Sequence, residues 1–247
     1  MAIKHIDYFG KQFDINYEIV NKEQQNIILF LHGWGSNKEV MKQAFSTRLK
    51  DFKHIYVDMP GFGKTYNQYI LTTKDYANIM EIFLKHLLPN DQIDTITIAG
   101  HSFGGKVATY LQPKTLILLS SAGILETKSK KTLLTIRMAK IFNKFGLSKV
   151  TQMLRSKDVD NMSQNMYETF KNVVDEDFSK LFANYTKDTL IFWGDVDKAT
   201  TLDSGKTIHN LIKGSYFKVY SGDHYFFMKH SDDICDIISK KINKVKK

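Results

Sequence analysis

The sequence predicts an α/β fold built on a mostly parallel sheet with helices on both of its faces. Strand-like stretches alternate with amphipathic helical patterns from residue 26 onward. Several of the strand-like stretches are continuous apolar runs that end in glycines, such as NIILFLHGWG at 26–35, which is typical of parallel strands buried on both faces. The chain has 247 residues, 43% of them hydrophobic, which is enough to bury one full core.

The chain opens with two β-like stretches, KHIDYF at 4–9 and FDINYEIV at 13–20. We predict that they form a hairpin joined at Gly10 and Lys11. Six further strands are predicted in NIILFL, HIYVDM, TITIAG, KTLILL, DTLIFW and SYFKVY. Helices are predicted at 39–50, in TTKDYANIMEIFLKHLL with a Thr-x-x-Asp capping box, after the strand TITIAG, in TLDSGKTIHNLI and in DDICDIISKKINKV.

One segment lacks any strand-like stretch. Between residues 125 and 185 only helical patterns occur, in LLTIRMAKIFNKFG and MSQNMYETFKNVV. We therefore expect a core formed by residues 1–124 and 186–247, with residues 125–185 forming an all-helical cap insertion above the sheet edge. Parallel sheets bind ligands at the carboxyl ends of their strands, so this insertion is expected to cover the site.

Composition and charge argue against two kinds of partner, a nucleic acid and a membrane that the chain would span. The formal net charge is +9, but the chain has only three arginines and its lysines are spread along its length, which favours a solvated surface over nucleic-acid binding. The single cysteine, Cys235, permits no internal disulfide. Charges are scattered through the first residues, unlike a signal peptide, and no stretch approaches the roughly 20 apolar residues of a membrane span. We expect a cytoplasmic protein that acts on a small molecule; its oligomeric state stays open.

The stretch TITIAGHSFGGKVATYL at 95–111 places a serine among three glycines between a predicted strand and a predicted helix. Gly100 and Gly104 remove side chains that would collide where the backbone folds back, and Gly105 lets the helix pack close to the sheet. This pattern is typical of a sharp turn that exposes a nucleophile, here Ser102. The alternative is an ordinary Gly/Ser loop. A nucleophile needs a base, an acid that orients the base, and oxyanion donors.

The last two predicted strands are followed by the residues that complete such a site. Asp195 and Asp197 come after TLIFWG, and His224 comes after YFKVYSGD. The histidine would take the serine proton, and a carboxylate would hold the histidine tautomer. Either aspartate could instead cap the next helix, and His224 could be an ordinary loop histidine. Residues two apart on an extended turn point the same way, so alternation does not choose between the aspartates.

The stretch LHGWG at 31–35 supplies candidate oxyanion donors. Its glycines let the loop after this strand approach the serine, and the backbone amides of Trp34 and Phe103 would form a two-donor oxyanion hole. A surface aromatic is the alternative interpretation of Trp34.

No cofactor or metal is predicted. GFGKT ends like a phosphate-binding loop, but such a loop needs a glycine where this chain has Asp58, and the next predicted helix starts near Thr73 rather than at the loop. The chain has neither paired cysteines nor a His-x-x-x-His spacing, which argues against a metal site.

Five motifs, HGWG, DMPGFGKT, GHSFGG, WGDVD and GDHYFF, resemble those of the α/β-hydrolase superfamily, in that family's order and over nearly the whole chain. The resemblance implies an eight-stranded sheet with an antiparallel start and a helical cap. It assigns the nucleophile to Ser102, the base to His224 and the acid to Asp197. The acid turn of such proteins often closes with a proline four residues after the aspartate, where this chain has Thr201.

The expected reaction is hydrolysis of a small carboxylic ester through an acyl-enzyme. The resemblance leaves a second activity open, cleavage of a carbon–carbon bond in a vinylogous 1,5-diketone. Arg137 and Arg155 in the insertion suit that substrate, but Tyr225 stands where such enzymes commonly have tryptophan. A third possibility is a binding protein that keeps the fold without catalysis, although the full set of motifs favours catalysis.

Overall fold

An eight-stranded sheet forms the centre of the protein. The computed structural model describes residues 1–88, 95–125 and 162–244. The strands are β1 (Ala2–Tyr8), β2 (Lys11–Val20), β3 (Asn26–Leu31), β4 (Phe52–Val57), β5 (Thr97–His101), β6 (Thr115–Leu119), β7 (Asp188–Gly194) and β8 (Tyr216–Tyr220). Their order is β1-β2-β4-β3-β5-β6-β7-β8. β2 runs antiparallel to β1 and to β4, and the other neighbours are parallel. The predicted mostly parallel sheet with an antiparallel start is confirmed.

The hairpin between β1 and β2 turns one residue earlier than predicted. Its central residues are Phe9 and Gly10, with φ of 51° and 76°, and Tyr8 pairs with Lys11. A two-residue hairpin turn of this kind needs a positive φ at both central positions, because only then does its twist match that of the strands. Lys11 therefore belongs to β2 and not to the turn.

The central strands are buried on both faces, as their continuous apolar sequence predicts. In β3, Ile27, Leu29 and Leu31 contribute to one hydrophobic cluster, while Ile28 and Phe30 contribute to the cluster on the other face. The core thus consists of two layers separated by the sheet.

Helices cover both layers. The described residues form α1 (Lys38–Phe45), α2 (Thr73–Leu87), α3 (Phe103–Leu111), α4 (Gln164–Val174), α5 (Ser179–Ala183), α6 (Leu202–Leu211) and α7 (Phe227–Lys244). Side chains of α2, α3 and α6 pack into the first cluster, and those of α1 and α7 into the second. α1 ends earlier than predicted and α7 begins earlier. Within the described ranges, no helix has both the length and the apolar character that crossing a membrane requires.

The predicted capping box at the start of α2 is present. The Thr72 side chain accepts a hydrogen bond from the Asp75 amide, and the Asp75 carboxylate accepts one from the Thr72 amide. These bonds satisfy two donors that a helix start would otherwise leave without partners. Asp75 also accepts a hydrogen bond from the Tyr8 hydroxyl at 2.7 Å, so the cap ties α2 to β1.

The regular structure in the described residues between β6 and β7 is helical. The pattern MSQNMYETFKNVV forms α4, and the short α5 follows it. The predicted helix in LLTIRMAKIFNKFG, with Arg137, and also Arg155, lies outside the described residues.

A buried ion pair fixes the loop that follows β3. Asp58 accepts hydrogen bonds from the Lys38 ammonium at 2.7 Å and from the Lys38 amide at 2.8 Å. The Lys64 amide donates to the same carboxylate at 3.0 Å. Lys38 and Asp58 are 2% and 1% exposed. Asp58, in the motif DMPGFGKT, therefore holds the glycine turn and the start of α1 together.

Removing the Lys38 ammonium leaves the buried Asp58 carboxylate without its counter-charge. We expect Lys38→Met to lower the free energy of unfolding by about 3–5 kcal/mol, measured by urea denaturation. Lys42→Met is the matched control, because Lys42 lies on the same helix and its pair with Glu18 at 2.6 Å is partly exposed. It should cost no more than about 1 kcal/mol. Equal losses in the two variants would contradict this assignment.

Candidate active site

Ser102 lies at the sharp turn between β5 and α3, in a strained backbone conformation with φ 51° and ψ −115°. Three backbone hydrogen bonds hold it there. Its amide donates to the Leu119 carbonyl at 3.1 Å, and its carbonyl accepts from the amides of Gly105 at 3.0 Å and Ala122 at 3.1 Å. A positive φ in a residue other than glycine is costly, and such strain persists where the surrounding structure enforces it.

The glycines of GHSFGG are required by close backbone contacts. A Cβ atom at Gly100 would lie 2.3 Å from the Gly104 carbonyl oxygen, and one at Gly104 would lie 2.5 Å from the Leu31 carbonyl oxygen. No side chain fits at either position. The predicted reason for these glycines is therefore correct.

Asp197 and His224 are joined directly. The His224 Nδ1 atom lies 2.7 Å from Asp197 Oδ2. Asp197 Oδ1 accepts hydrogen bonds from the amides of Ala199 at 2.8 Å and Thr200 at 3.0 Å. These amides fix the carboxylate, whose side chain is fully buried, while the His224 side chain is 17% exposed. With Nδ1 bonded to the carboxylate, His224 Nε2 is left on the other side of the ring as the proton acceptor.

The electrostatics of Asp197 favour a permanent negative charge. Burial alone would raise the pKa of its carboxyl, but the hydrogen bonds from His224 and from the Thr200 amide outweigh burial and lower the pKa to about 2. The Thr200 hydroxyl lies 3.1 Å from Asp197 Oδ2 and 3.4 Å from His224 Nδ1. Thr200 was not singled out in the sequence, because a threonine in a turn carries no distinctive pattern.

Asp195 forms hydrogen bonds with backbone groups. Its carboxylate accepts a hydrogen bond from the Gly222 amide at 2.9 Å, and its own amide donates to the Tyr220 carbonyl at 2.9 Å. Asp195 thus connects the end of β7 to the loop that carries His224. The structure brings Asp197 to His224 and uses Asp195 to bond the backbone of that loop.

His101 is a site residue that sequence analysis missed, although it lies in GHSFGG directly before Ser102. Its Nε2 donates to the backbone carbonyl of His224 at 3.0 Å, and the two imidazole rings lie 4.5 Å apart. Burial lowers the pKa of His101 to about 3, so this ring is neutral at neutral pH. The contact brings the His224 loop against the turn that carries Ser102.

His32 orients the candidate oxyanion loop. The Met59 amide donates to His32 Nε2 at 3.1 Å, so the ring hydrogen is on Nδ1, which donates to the Gly33 carbonyl at 2.8 Å. Burial lowers the pKa of His32 to about 4, which keeps this tautomer neutral at neutral pH. Because the peptide unit is planar and trans, fixing the Gly33 carbonyl toward His32 directs the Trp34 amide the opposite way.

A cavity of about 200 Å³ lies beside Ser102. Its walls include Trp34, Phe103, Phe170, Val173 and Thr200. The surroundings are thus largely apolar, with Ser102 and Thr200 among the polar groups and Lys106 as the charged one. The arrangement suits a small substrate with an apolar portion.

Two further observations concern other kinds of site. A second cavity, of about 190 Å³, lies at the opposite edge of the sheet, where β6, β7 and β8 begin, and no predicted site residue lines it. In the part of the chain that the structure describes, no group of three or more His, Cys, Asp or Glu side chains is arranged to hold a metal ion.

Known proteins resemble this chain in sequence and in fold. Residues 28–232 match the alpha/beta hydrolase family. A pimeloyl-(acyl-carrier protein) methyl ester esterase from Pseudoalteromonas atlantica is 36% identical over 103 residues, which is 39% of this chain and 37% of that protein. The enzyme of the same name from Vibrio cholerae is 32% identical over 95 residues, 38% of this chain and 34% of that protein. The matched regions span little more than a third of these relatives.

Solved structures extend the similarity to the whole fold. An esterase from Exiguobacterium antarcticum has a TM-score of 0.75 at 20% identity, covering 98% of this chain and 100% of that one. A thermophilic esterase from Thermogutta terrifontis has a TM-score of 0.73 at 17% identity, covering 99% of each chain. At these identities the likeness concerns the fold.

The low pKa of Asp197 makes stability depend on pH. Because the folded-state pKa of about 2 lies below the unfolded value, ionised Asp197 stabilises the fold above about pH 4, and this contribution is lost as the pH falls toward 2. We expect the difference in unfolding free energy between the parent and Asp197→Asn to shrink over that range. Urea denaturation at a series of pH values measures it.

Ser102→Ala is the control for this experiment, because it leaves every carboxylate in place. Its difference from the parent should not vary with pH. If the Asp197→Asn difference is equally constant between about pH 5 and about pH 2, Asp197 does not carry the stabilising charge.

Proposed function

Because the chain belongs to the alpha/beta hydrolase family, we propose that it is a serine hydrolase that cleaves a small carboxylic ester through an acyl-enzyme. The observation that carries the proposal is the 2.7 Å contact between His224 and Asp197 on the loops that follow β8 and β7. The carboxyl end of β5, in the same sheet, carries Ser102 in a strained backbone conformation, and a cavity lies beside that serine. Nucleophile, base and acid in this arrangement are the requirements of acyl transfer.

In the first step His224 accepts the Ser102 hydroxyl proton at Nε2 while the Ser102 oxygen attacks the ester carbonyl carbon. The carbonyl oxygen becomes an oxyanion, which accepts hydrogen bonds from the amides of Trp34 and Phe103. The Phe103 amide is the first of α3, so the positive end of that helix also stabilises the developing charge. The intermediate then collapses, and His224 gives its proton to the leaving alcohol.

In the second step a water molecule attacks the acyl-enzyme. His224 accepts the proton of this water and later returns it to the Ser102 oxygen as the carboxylic acid leaves. Asp197 stabilises the imidazolium that forms in both steps and keeps its own charge, in agreement with its low pKa. His32 and His101 stay neutral, so in this proposal His224 is the histidine that accepts and releases the proton in both steps.

The names of the curated relatives favour an ester substrate. Both relatives described above are called methyl ester esterases, which suggests that this chain also releases a small alcohol. The wall formed by Phe170 and Val173 comes from residues 125–185, so we propose that this insertion selects the acyl group. Chemistry and selection would then rest on different parts of the chain.

Ser102→Ala tests the nucleophile. The variant should lose nearly all turnover of p-nitrophenyl acetate, because the substitution removes the attacking oxygen and leaves the fold intact. We expect a fall of about 10³-fold or more in kcat, with thermal unfolding as the check on folding. Activity within about tenfold of the parent would refute the assignment.

We expect substitutions of the two aspartates to affect different properties, catalysis for Asp197 and stability for Asp195. Asp197→Asn should lower kcat by about 10⁴-fold, because an amide does not hold the required His224 tautomer. Asp195→Asn is the matched control in the same turn and should cost about 1 kcal/mol of stability while kcat stays within about tenfold. Steady-state kinetics with p-nitrophenyl acetate and urea denaturation measure both. A silent Asp197→Asn beside an inactive, folded Asp195→Asn would transfer the acid role.

A substrate panel distinguishes the other functions that the sequence leaves open. Esters of graded acyl length are compared with a vinylogous 1,5-diketone. Preference for the diketone would replace ester hydrolysis by carbon–carbon bond cleavage. Failure to turn over any activated ester or the diketone would favour a binding protein.

A further inference from the structure

Lys106 is a buried lysine that the proposed reaction does not use. It is 1% exposed, lies one turn after Ser102 in α3, and belongs to the wall of the cavity beside that serine. Its position is unfavourable in two ways. Burial removes the ammonium from water, and a cation near the start of a helix opposes the helix dipole. Burial lowers the pKa of Lys106, and the charge of Glu176 offsets part of this effect.

The compensating contacts of Lys106 come mainly from the end of α4 and from the chain that follows it. Its ammonium donates a hydrogen bond to the Val173 carbonyl and lies 3.3 Å from the Glu176 carboxylate. The ring centres of Phe103 and Phe178 are 5.9 Å and 5.3 Å from the same nitrogen. The Val173 carbonyl belongs to the last turn of α4, where the negative end of the helix dipole favours a cation. Lys106 therefore links the nucleophile helix to the end of α4.

The other end of α4 is held independently. The Asn165 side chain donates to the Asn67 carbonyl at 2.9 Å, and the Leu71 amide donates to the Thr169 hydroxyl at 3.1 Å. These contacts tie the first half of α4 to the loop before α2. The residues of α4 that line the cavity, Phe170, Val173 and Val174, lie in its second half, beside Lys106.

We propose that Lys106 is a positioning residue that determines acyl selectivity: by anchoring the end of α4 to α3, it fixes the wall formed by Phe170, Val173 and Val174. The proposal rests on ester hydrolysis at Ser102 for its kinetic readout. Glu176 completes the anchor, because it neutralises the ammonium and also accepts a hydrogen bond from the Thr73 hydroxyl at the start of α2. Loss of the anchor frees the wall and enlarges the space for the acyl group.

The kinetic test compares Lys106→Met with Lys106→Arg. Methionine keeps an unbranched apolar side chain without charge, and arginine keeps the cation and its donors. In Lys106→Met we expect the ratio of kcat/KM for p-nitrophenyl hexanoate to that for the acetate to rise by about threefold or more, chiefly through KM. Lys106→Arg should stay within about twofold of the parent ratio. Lys171→Met, an exposed lysine of α4 paired with Glu168, is the matched control and should leave the ratio unchanged.

A second measurement does not depend on catalysis. The chain has two tryptophans, and Trp193 is fully buried, so acrylamide quenching of fluorescence reports mainly on Trp34. The rings of Trp34 and Phe170 lie 5.4 Å apart, so Trp34 senses the position of α4. Lys106→Met should raise the quenching constant, and Lys106→Arg should not. If Lys106→Met does not fold, Glu176→Gln tests the same anchor and should shift both readouts in the same direction.

The outcomes separate the two proposals. A lower melting temperature with unchanged quenching and an unchanged ester ratio would overturn the positioning role and leave ester hydrolysis standing. If the parent cleaves no ester but Lys106→Met still increases quenching, the proposed function is refuted and the anchoring role of Lys106 is retained. If Lys106→Arg alters the hexanoate-to-acetate ratio as much as Lys106→Met does, the proposal is also overturned, because loss of the cation is then not the cause.

Discussion

The close approach of α3 to β3 and β5 is the constraint on which the rest of the site depends. At Gly100 and Gly104 the backbones approach so closely that a Cβ would lie 2.3 Å and 2.5 Å from carbonyl oxygens. A helix that starts this close to the sheet leaves only a sharp turn for the intervening residue, so Ser102 takes a positive φ. The same geometry exposes the serine at the sheet edge and aims the start of α3 at it.

Charge is distributed around this turn so that few groups change protonation at neutral pH. Burial lowers the pKa of His32 and of His101, so both rings stay neutral and act through fixed tautomers. Hydrogen bonds hold Asp197 ionised, and the buried Lys38–Asp58 pair fixes the loop before α1. His32, His101 and Asp197 therefore each keep one protonation state at neutral pH. In the proposed mechanism, His224 can then transfer the proton without competition from the two neighbouring histidines.

The sequence predicts the sheet well because buried parallel strands carry continuous apolar runs and end in glycines. It also predicts the turn at Ser102, since the glycines report a steric requirement. It does not choose between Asp195 and Asp197, because alternation gives both the same direction, and the choice depends on a contact with His224 across 27 residues. His101 was missed for the same reason, because its partner His224 is distant in sequence. Thr200 was missed because a threonine in a turn carries no distinctive pattern. The early end of α1 was missed because the apolar spacing of Met41 and Phe45 continues to Leu49.

Different kinds of interaction hold the loops of the candidate site and the helix α4 in place. The turns that carry Ser102, Asp197 and His224 all leave strands of the central sheet, so their relative positions follow from strand pairing and from two buried apolar layers. α4 combines apolar packing of Met166 and Val173 with polar anchors, such as Asn165, Thr169 and the ammonium of Lys106. Polar contacts depend on individual side chains, so a single substitution can move this wall without disturbing the sheet. Under the proposed function, this arrangement permits selectivity to change while Ser102, Asp197 and His224 keep their geometry.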